Sequence, residues 1–477
     1  MFTKMNSNIS ILFSIIILLL TSPSVLKGQH EQGIEGIWLG TLRVGEMELR
    51  IALTFSKLED GILGATMNSI DQSSGEIPME EVVMNKDSLL VKHIGIGIEF
   101  EGMVDLDKNT FDSEFRQGPG KFPLLFQKVD MLPIVARPQE PKKPYPYREE
   151  QVEYEHKAAG IKIAGTLTYP DSGGPFPAVI LLSGSGPQNR DEEIFGHKPF
   201  LVLSDYLTRH GIAVLRSDER GVGGTTGTFK GSTTGDFTED ALAGVAYLKS
   251  RDEINSEWIG LAGHSEGGMM APIAASKSSD IAFIVMMAGP GIAFNDVILG
   301  QYELGWKKMG LSDEDLELNR SWYKRVSEIT SMDINNEEIR EKVMQLYEDL
   351  NEEERTRLNK TPERIEGEIE HLTEPWWRYA TTYNARATLM QVKCPVLAIN
   401  GSKDKQVAAQ ENLATIEDAL QAGGNGNFLV KELEGLNHLF QTADTGDETE
   451  YSKIEETISP VAMILIANWI IQQVGME

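Results

Sequence analysis

Between Gly33 and about Asp130, apolar and polar residues alternate. Met47, Leu49, Ile51, Leu53 and Phe55 form one series, and Ile94, Ile96, Ile98 and Phe100 another. A period of two places one side of each segment in a core and the other in water, the pattern of half-buried antiparallel strands. Turn residues at "EDG", "NKDS", "LDKNT" and "QGPGK" punctuate the runs. Residues 29–130 therefore read as an antiparallel β-domain, a small barrel or sandwich. Residues 131–150 carry five prolines and read as an extended, semi-rigid linker.

After Glu150 the rhythm changes. Short continuous apolar runs alternate with helical stretches: Ala178–Leu182, Ile212–Leu215, Trp258–Ala262, Ile281–Ala288, Val396–Asn400 and a last run beginning at Phe428. Strands apolar on both faces, separated by helices, predict a mostly parallel sheet covered on two sides, so residues 151–477 read as an α/β domain. Between about 295 and 385 strand signals give way to helix starts at "LSDEDLE", "NNEEIRE" and "TPERIE", where Thr361 caps and Pro362 leads. This is a helical insertion, placed as a cap.

Composition narrows the partners. The chain has 477 residues and a formal net charge of -28. That acidity disfavours nucleic acid and anionic membrane surfaces, because phosphate contact needs clustered Lys and Arg. Cys394 is the single cysteine, so no intramolecular disulfide or Cys-x-x-Cys metal site is available. Residues 1–28 have the form of an export signal: Lys4, the apolar stretch Ile11–Leu20, then Ser22, Ser24 and Gly28. Ten apolar residues are short for a span of about 20. The expectation is export to the periplasm or the exterior, without stable membrane insertion.

The candidate chemistry lies at Gly263-His264-Ser265-Glu266-Gly267, which fits G-x-S-x-G. An apolar strand precedes it and a helix-forming run follows, the context of a nucleophile elbow at Ser265. A serine needs a base, and the base an orienting acid. Of the two histidines after Ser265, His371 lies in the charged insertion, whereas His438 follows the last strand. Asp404 follows the preceding strand, and Asp418 falls within a helical stretch. The expected set is Ser265, Asp404 and His438. The expected oxyanion hole is the backbone N–H of Glu266 with that of Ser185, and Gly186 next in line. Arg190, Asp191, Asp218 and Arg220 flank this region and read as an ion-pair network. Neither a zinc motif nor a dinucleotide or P-loop pattern occurs, and no cofactor or metal is expected.

The segments "GSGPQNRD", "RSDERGVGGTTG", "GHSEGG", "CPVLAINGSKDKQV" and "LNHLFQ" resemble bacterial α/β-hydrolase esterases, and more narrowly a serine aminopeptidase-like subgroup with an extra N-terminal β-domain. The motifs cover roughly 151–477; residues 30–130 match by architecture. The resemblance implies a serine hydrolase acting on a small-molecule ester, with Ser265 as nucleophile, Asp404 as acid and His438 as base. An aminopeptidase or acyl-peptide hydrolase using the same residues, and a non-catalytic binding protein, are the alternatives.

Overall fold

The computed structural model describes residues 33–475 except 45–46, 59–61, 71–75, 95–96, 118–119 and 133–134, so the export-signal expectation lies outside the described residues. Nine strands form the first sheet: β1 (Gly36–Val44), β2 (Met47–Lys57), β3 (Leu63–Ser69), β4 (Ile77–Pro78), β5 (Glu81–Asn85), β6 (Ser88–His93), β7 (Ile98–Asp105), β8 (Thr110–Gln117) and β9 (Gly120–Val129). Their order is β4-β3-β2-β1-β9-β8-β7-β6-β5. The two outermost strands are joined by only Met79 and Glu80, whose N–H groups donate to Ala65 and Lys92 carbonyls, each at 2.9 Å. A sheet whose edges meet at one corner must curl, so the region is a half-barrel rather than a sandwich. Its concave face buries Trp38, Leu53, Phe55, Phe100, Phe111 and Phe126.

One alternation signal was misleading. Ile94 is exposed, and β7 starts only at Ile98. Gly97, at φ 64°, donates to Ile94 and closes a turn there. At Ile94 an apolar turn residue continued the strand's period by coincidence.

The second sheet holds β10 (Tyr147–His156), β11 (Ile161–Pro170), β12 (Phe176–Leu182), β13 (Ala213–Ser217), β14 (Ile254–His264), β15 (Phe283–Met287), β16 (Val396–Gly401) and β17 (Phe428–Leu433), in the order β10-β11-β13-β12-β14-β15-β16-β17. All neighbours from β13 to β17 are parallel; β10 and β11 add antiparallel strands at one edge. The six apolar runs are β12 to β17. The hairpin β10–β11 carried no apolar run, because β10 is an edge strand with much of "YREEQVEYEH" facing solvent; it begins within the proline-rich stretch.

Side chains of β12 alternate between two cores. Ala178, Ile180 and Leu182 pack with the helices Thr234–Lys249, Gly267–Lys277 and Ala409–Ala422. Val179 and Leu181 pack with Pro199–Arg209 and Pro460–Gln473. This three-layer arrangement is the α/β-hydrolase fold. Between β15 and β16 the chain leaves the sheet and forms helices from Phe294–Lys308 to Pro375–Thr382, with their own core of Trp322, Val326, Ile339, Val343 and Ile365. Ser312, Asn335, Asn351 and Thr361 cap successive helix starts with their side chains, which satisfies donors a helix leaves unpaired.

Candidate active site

Ser265 follows β14, in the middle of the parallel sheet, at φ 53°. A non-glycine residue in the left-handed region is strained by about 1–3 kcal/mol and persists only when its surroundings dictate it. Here they do. The Ser265 N–H donates to the Met287 carbonyl at 2.8 Å, tying the turn to β15. A side chain on Gly263 would run into the Gly267 carbonyl, one on Gly267 into the Leu182 carbonyl, and one on Gly268 into Gly289. Only glycine lets the helix Gly267–Lys277 start this close to the strand ends, and this lifts the serine above the sheet.

Asp404 and His438 lie in the loops after β16 and β17. The His438 loop crosses back over the end of β16: the N–H groups of Ser402 and Lys403 donate to Leu433 and Leu436 carbonyls, each at 2.9 Å. A side chain on Gly401 would collide with the Leu436 carbonyl. That crossing is needed because β17 stands three strands from β14, about 14 Å at usual strand spacing. It brings His438 Nδ1 to 2.7 Å from Asp404 Oδ2. The other oxygen, Oδ1, accepts from the N–H groups of Gln406 and Val407 at 2.8 and 2.9 Å. Both side chains are almost wholly buried. Donation from Nδ1 leaves Nε2 as the acceptor nitrogen. Among the described residues no other side chain engages Nε2 of His438 or the Ser265 hydroxyl, and the two are not hydrogen-bonded to each other. Their loops nonetheless touch, with the rings of His264 and His438 4.8 Å apart.

Gly184 lies against Ser265; an added Cβ would stand 3.3 Å from the Ser265 Cβ. The Gly184 N–H donates to Glu192 Oε1 at 2.7 Å. Among the described residues nothing accepts from the N–H of Ser185 or of Glu266, the two expected oxyanion donors. His371 sits on a cap helix and packs at a tilt against Trp377, ring centroids 4.8 Å apart, and Asp418 is on the helix Ala409–Ala422. Arg190 pairs with Asp218 at 2.6 Å, Arg216 with Asp191, and Arg220 with Asp240 at 2.7 Å.

Three features escaped the sequence reading. The Glu266 side chain is buried, and its Oε1 accepts from Thr234 Oγ1 at 2.6 Å and from Trp376 Nε1 at 2.7 Å. Trp376 thus fastens the cap to the residue after Ser265. Burial pushes the Glu266 carboxyl above the usual carboxylate range, against the pull of those two bonds. Glu219, after β13, is pushed well above it by burial, and the nearby Glu266, Glu192 and Asp240 add to the push. It borders a small cavity of about 50 Å³ with Ser183, Asp240 and Met270. Third, Glu192 and His264 form a buried pair at 2.9 Å. Nothing in the sequence tied Glu192 to His264, 72 positions away.

Residues 159–432 match the model of the X-Pro dipeptidyl-peptidase (S15) family, more than half of the chain. The chain belongs to the S15 family. The matched span contains Ser265 and Asp404 and stops six residues short of His438. Esterase EstD of Thermotoga maritima is 34% identical over 139 residues, which cover 29% of this chain and 33% of EstD; the chain aligns with only about a third of that relative. Among solved structures, Est1E from Butyrivibrio proteoclasticus, solved with ferulic acid bound, aligns over 68% of this chain and 99% of its own, at 18% identity and a TM-score of 0.42. The α/β hydrolase GrgF from Penicillium sp. sh18 aligns over 69% and 100%, at 16% identity and a TM-score of 0.43. Among the described residues no group of side chains is arranged to hold a metal ion, and no helix is long and apolar enough to cross a membrane.

Proposed function

We propose that this protein is a serine hydrolase that cleaves carboxylic esters of small molecules through an acyl-enzyme on Ser265. The observation that carries the reading is the 2.7 Å bond from His438 Nδ1 to Asp404, which leaves Nε2 free to act as a base beside a serine held on a strained elbow. Nε2 takes the hydroxyl proton as Oγ attacks the ester carbonyl, and Asp404 stabilises the imidazolium. Negative charge on the former carbonyl oxygen is received by the uncommitted N–H groups of Glu266 and Ser185. The proton then passes to the departing alcohol, and water attacks the acyl-enzyme by the same route. The EstD alignment supports an ester as substrate. Export to the periplasm or exterior belongs to this reading, supported by the pattern of residues 1–28.

A second reading, release of N-terminal residues from peptides, is favoured by one observation. Burial disfavours the charged forms of Glu219 and Glu266, and a substrate ammonium group would relieve that. The acidic residues of the cap are weaker candidates, since several pair with its own Arg320, Arg340 and Arg357. Labelling by a fluorophosphonate, abolished in Ser265→Ala, tests the shared nucleophile. Turnover of short-chain aryl esters against amino-acid arylamides separates the readings. Strong arylamide cleavage with negligible ester cleavage would replace the first reading by the second.

A further inference from the structure

We infer that Glu192 and His264 form a second carboxylate–imidazole pair, a positioning device that locks the loop carrying one oxyanion donor, Ser185, to the loop carrying the base. The inference rests on the serine-hydrolase reading of the same site and adds residues to it.

The bonds constrain where the protons sit. Glu192 Oε1 accepts from the Gly184 N–H at 2.7 Å and faces His264 Nδ1 at 2.9 Å. The other ring nitrogen of His264, Nε2, lies 3.0 Å from the backbone carbonyl of His438. A carbonyl oxygen only accepts, so Nε2 carries a hydrogen. One proton is shared between Nδ1 and Glu192 Oε1, and we place it on Nδ1, so that the ring is an imidazolium paired with a Glu192 carboxylate. Burial opposes that charge, but the charge and hydrogen bond of Glu192, the His438 carbonyl and the more distant Asp404 hold His264 above the ordinary histidine range. The pair thus joins two strand-end loops: Gly184 after β12 through Glu192, and His438 after β17 through His264, which ends β14.

The fit around the pair is tight. A Cβ on Gly184 would stand 3.3 Å from both Glu192 Oε1 and the Ser265 Cβ, and 3.5 Å from His264 Nδ1. Glu192 itself has φ 50°, so its loop does not relax into this position by default. A second histidine holds the same loop. His197 is fully buried, with Nδ1 2.9 Å from Thr457 Oγ1 and Nε2 2.9 Å from the Tyr451 carbonyl, both beyond the base in sequence. A misplacement of about 1 Å in such a site can cost about 100-fold in rate. The charged and titratable groups facing the pair are His438, its ring 4.8 Å from that of His264, Asp404 from the β16 loop, and Glu219 from the β13 loop. Without the Glu192 anion His264 gives up its proton, and because the lost cation lies against His438 while the lost anion lies on the far side of the His264 ring, the base becomes easier to protonate.

The test has three arms on the purified full chain. In the 15N-histidine NMR spectrum at pH 7, both ring nitrogens of His264 should be protonated, with signals assigned by their loss in His264→Gln. A singly protonated ring overturns the inference, whether or not any Glu192 variant folds. In Glu192→Gln, kcat should fall about 10- to 100-fold with KM nearly unchanged, and the acid limb of the kcat/KM profile should move to higher pH. An unmoved limb would mean that Glu192 only packs. Fluorophosphonate labelling of the unmodified protein separates the two levels. If Ser265 is not labelled, the serine-hydrolase reading fails. If it is labelled and Glu192→Gln keeps its kcat and its acid limb, the pair alone is overturned.

Discussion

The two sheets spend buried volume differently. Within the first, the core is almost entirely hydrocarbon: Trp38, Phe55, Phe100, Phe111 and Phe126 fill the concave face. The buried polar exceptions are easily satisfied; Ser113 bonds the Leu124 carbonyl at 2.7 Å and the Trp38 indole bonds the Ile34 carbonyl at 2.7 Å. At the carboxyl ends of the second sheet, by contrast, Glu192, His197, His264, Glu266, Asp404 and His438 are all buried together. Burying ionisable groups costs free energy unless every one is paired or neutral. The first region is organised for packing and the second accepts strain and desolvation to hold chemistry, as active sites do.

Mutations can break this contrast from either side. The largest effect is expected at Ser265→Ala: ester turnover should fall by about 10⁴-fold or more, while the midpoint of thermal unfolding stays where it was, because alanine suffers the same φ. In the first sheet Trp38→Ala should do the reverse. Emptying a fully buried indole site costs about 3–5 kcal/mol in denaturant titration, with turnover per folded molecule unchanged. A measurable loss of kcat there would show that the half-barrel contributes to the reaction.

Next comes pH. Burial, with the charge of Arg137, lowers the His197 imidazole to about 4 from its ordinary 6.5. The unfolded chain therefore binds a proton that the folded one refuses between those values. The stabilisation is complete above 6.5 and lost as pH falls to about 4, up to about 3 kcal/mol. The slope of stability against pH in that window should flatten in His197→Asn. The smallest effect is expected at Trp376→Phe, which keeps the ring packing but removes the donor to Glu266. A lost hydrogen bond to a buried acceptor costs about 1–3 kcal/mol, and it should be read as altered KM together with local loosening of the cap by hydrogen exchange.

How far the primary structure reached can be judged from particular residues. Ser265 was legible because steric necessity writes glycines around an elbow, and the motif sits between a readable strand and a readable helix. Asp404 and His438 were legible from their positions after the last two apolar runs. The half-barrel was legible as antiparallel alternation, apart from Ile94, where a turn imitated a strand. The hairpin β10–β11 was not legible, since an edge strand exposed to water lacks a continuous apolar run. Glu192, His264 and the Glu266 side chain were missed because they interact across 72, 174 and 110 positions of chain, and no local pattern encodes such a partner.

By itself, then, the order of residues determined which segments become strands and helices, and which serine stands on the turn, because periodicity and glycine sterics act over a few neighbours. Only the tertiary structure decided which carboxylate meets which imidazole, and whether a buried glutamate faces a histidine, a tryptophan or another acid. Those pairings depend on how loops cross the ends of a sheet whose strands do not lie in chain order, and so on distances that no local stretch of sequence contains.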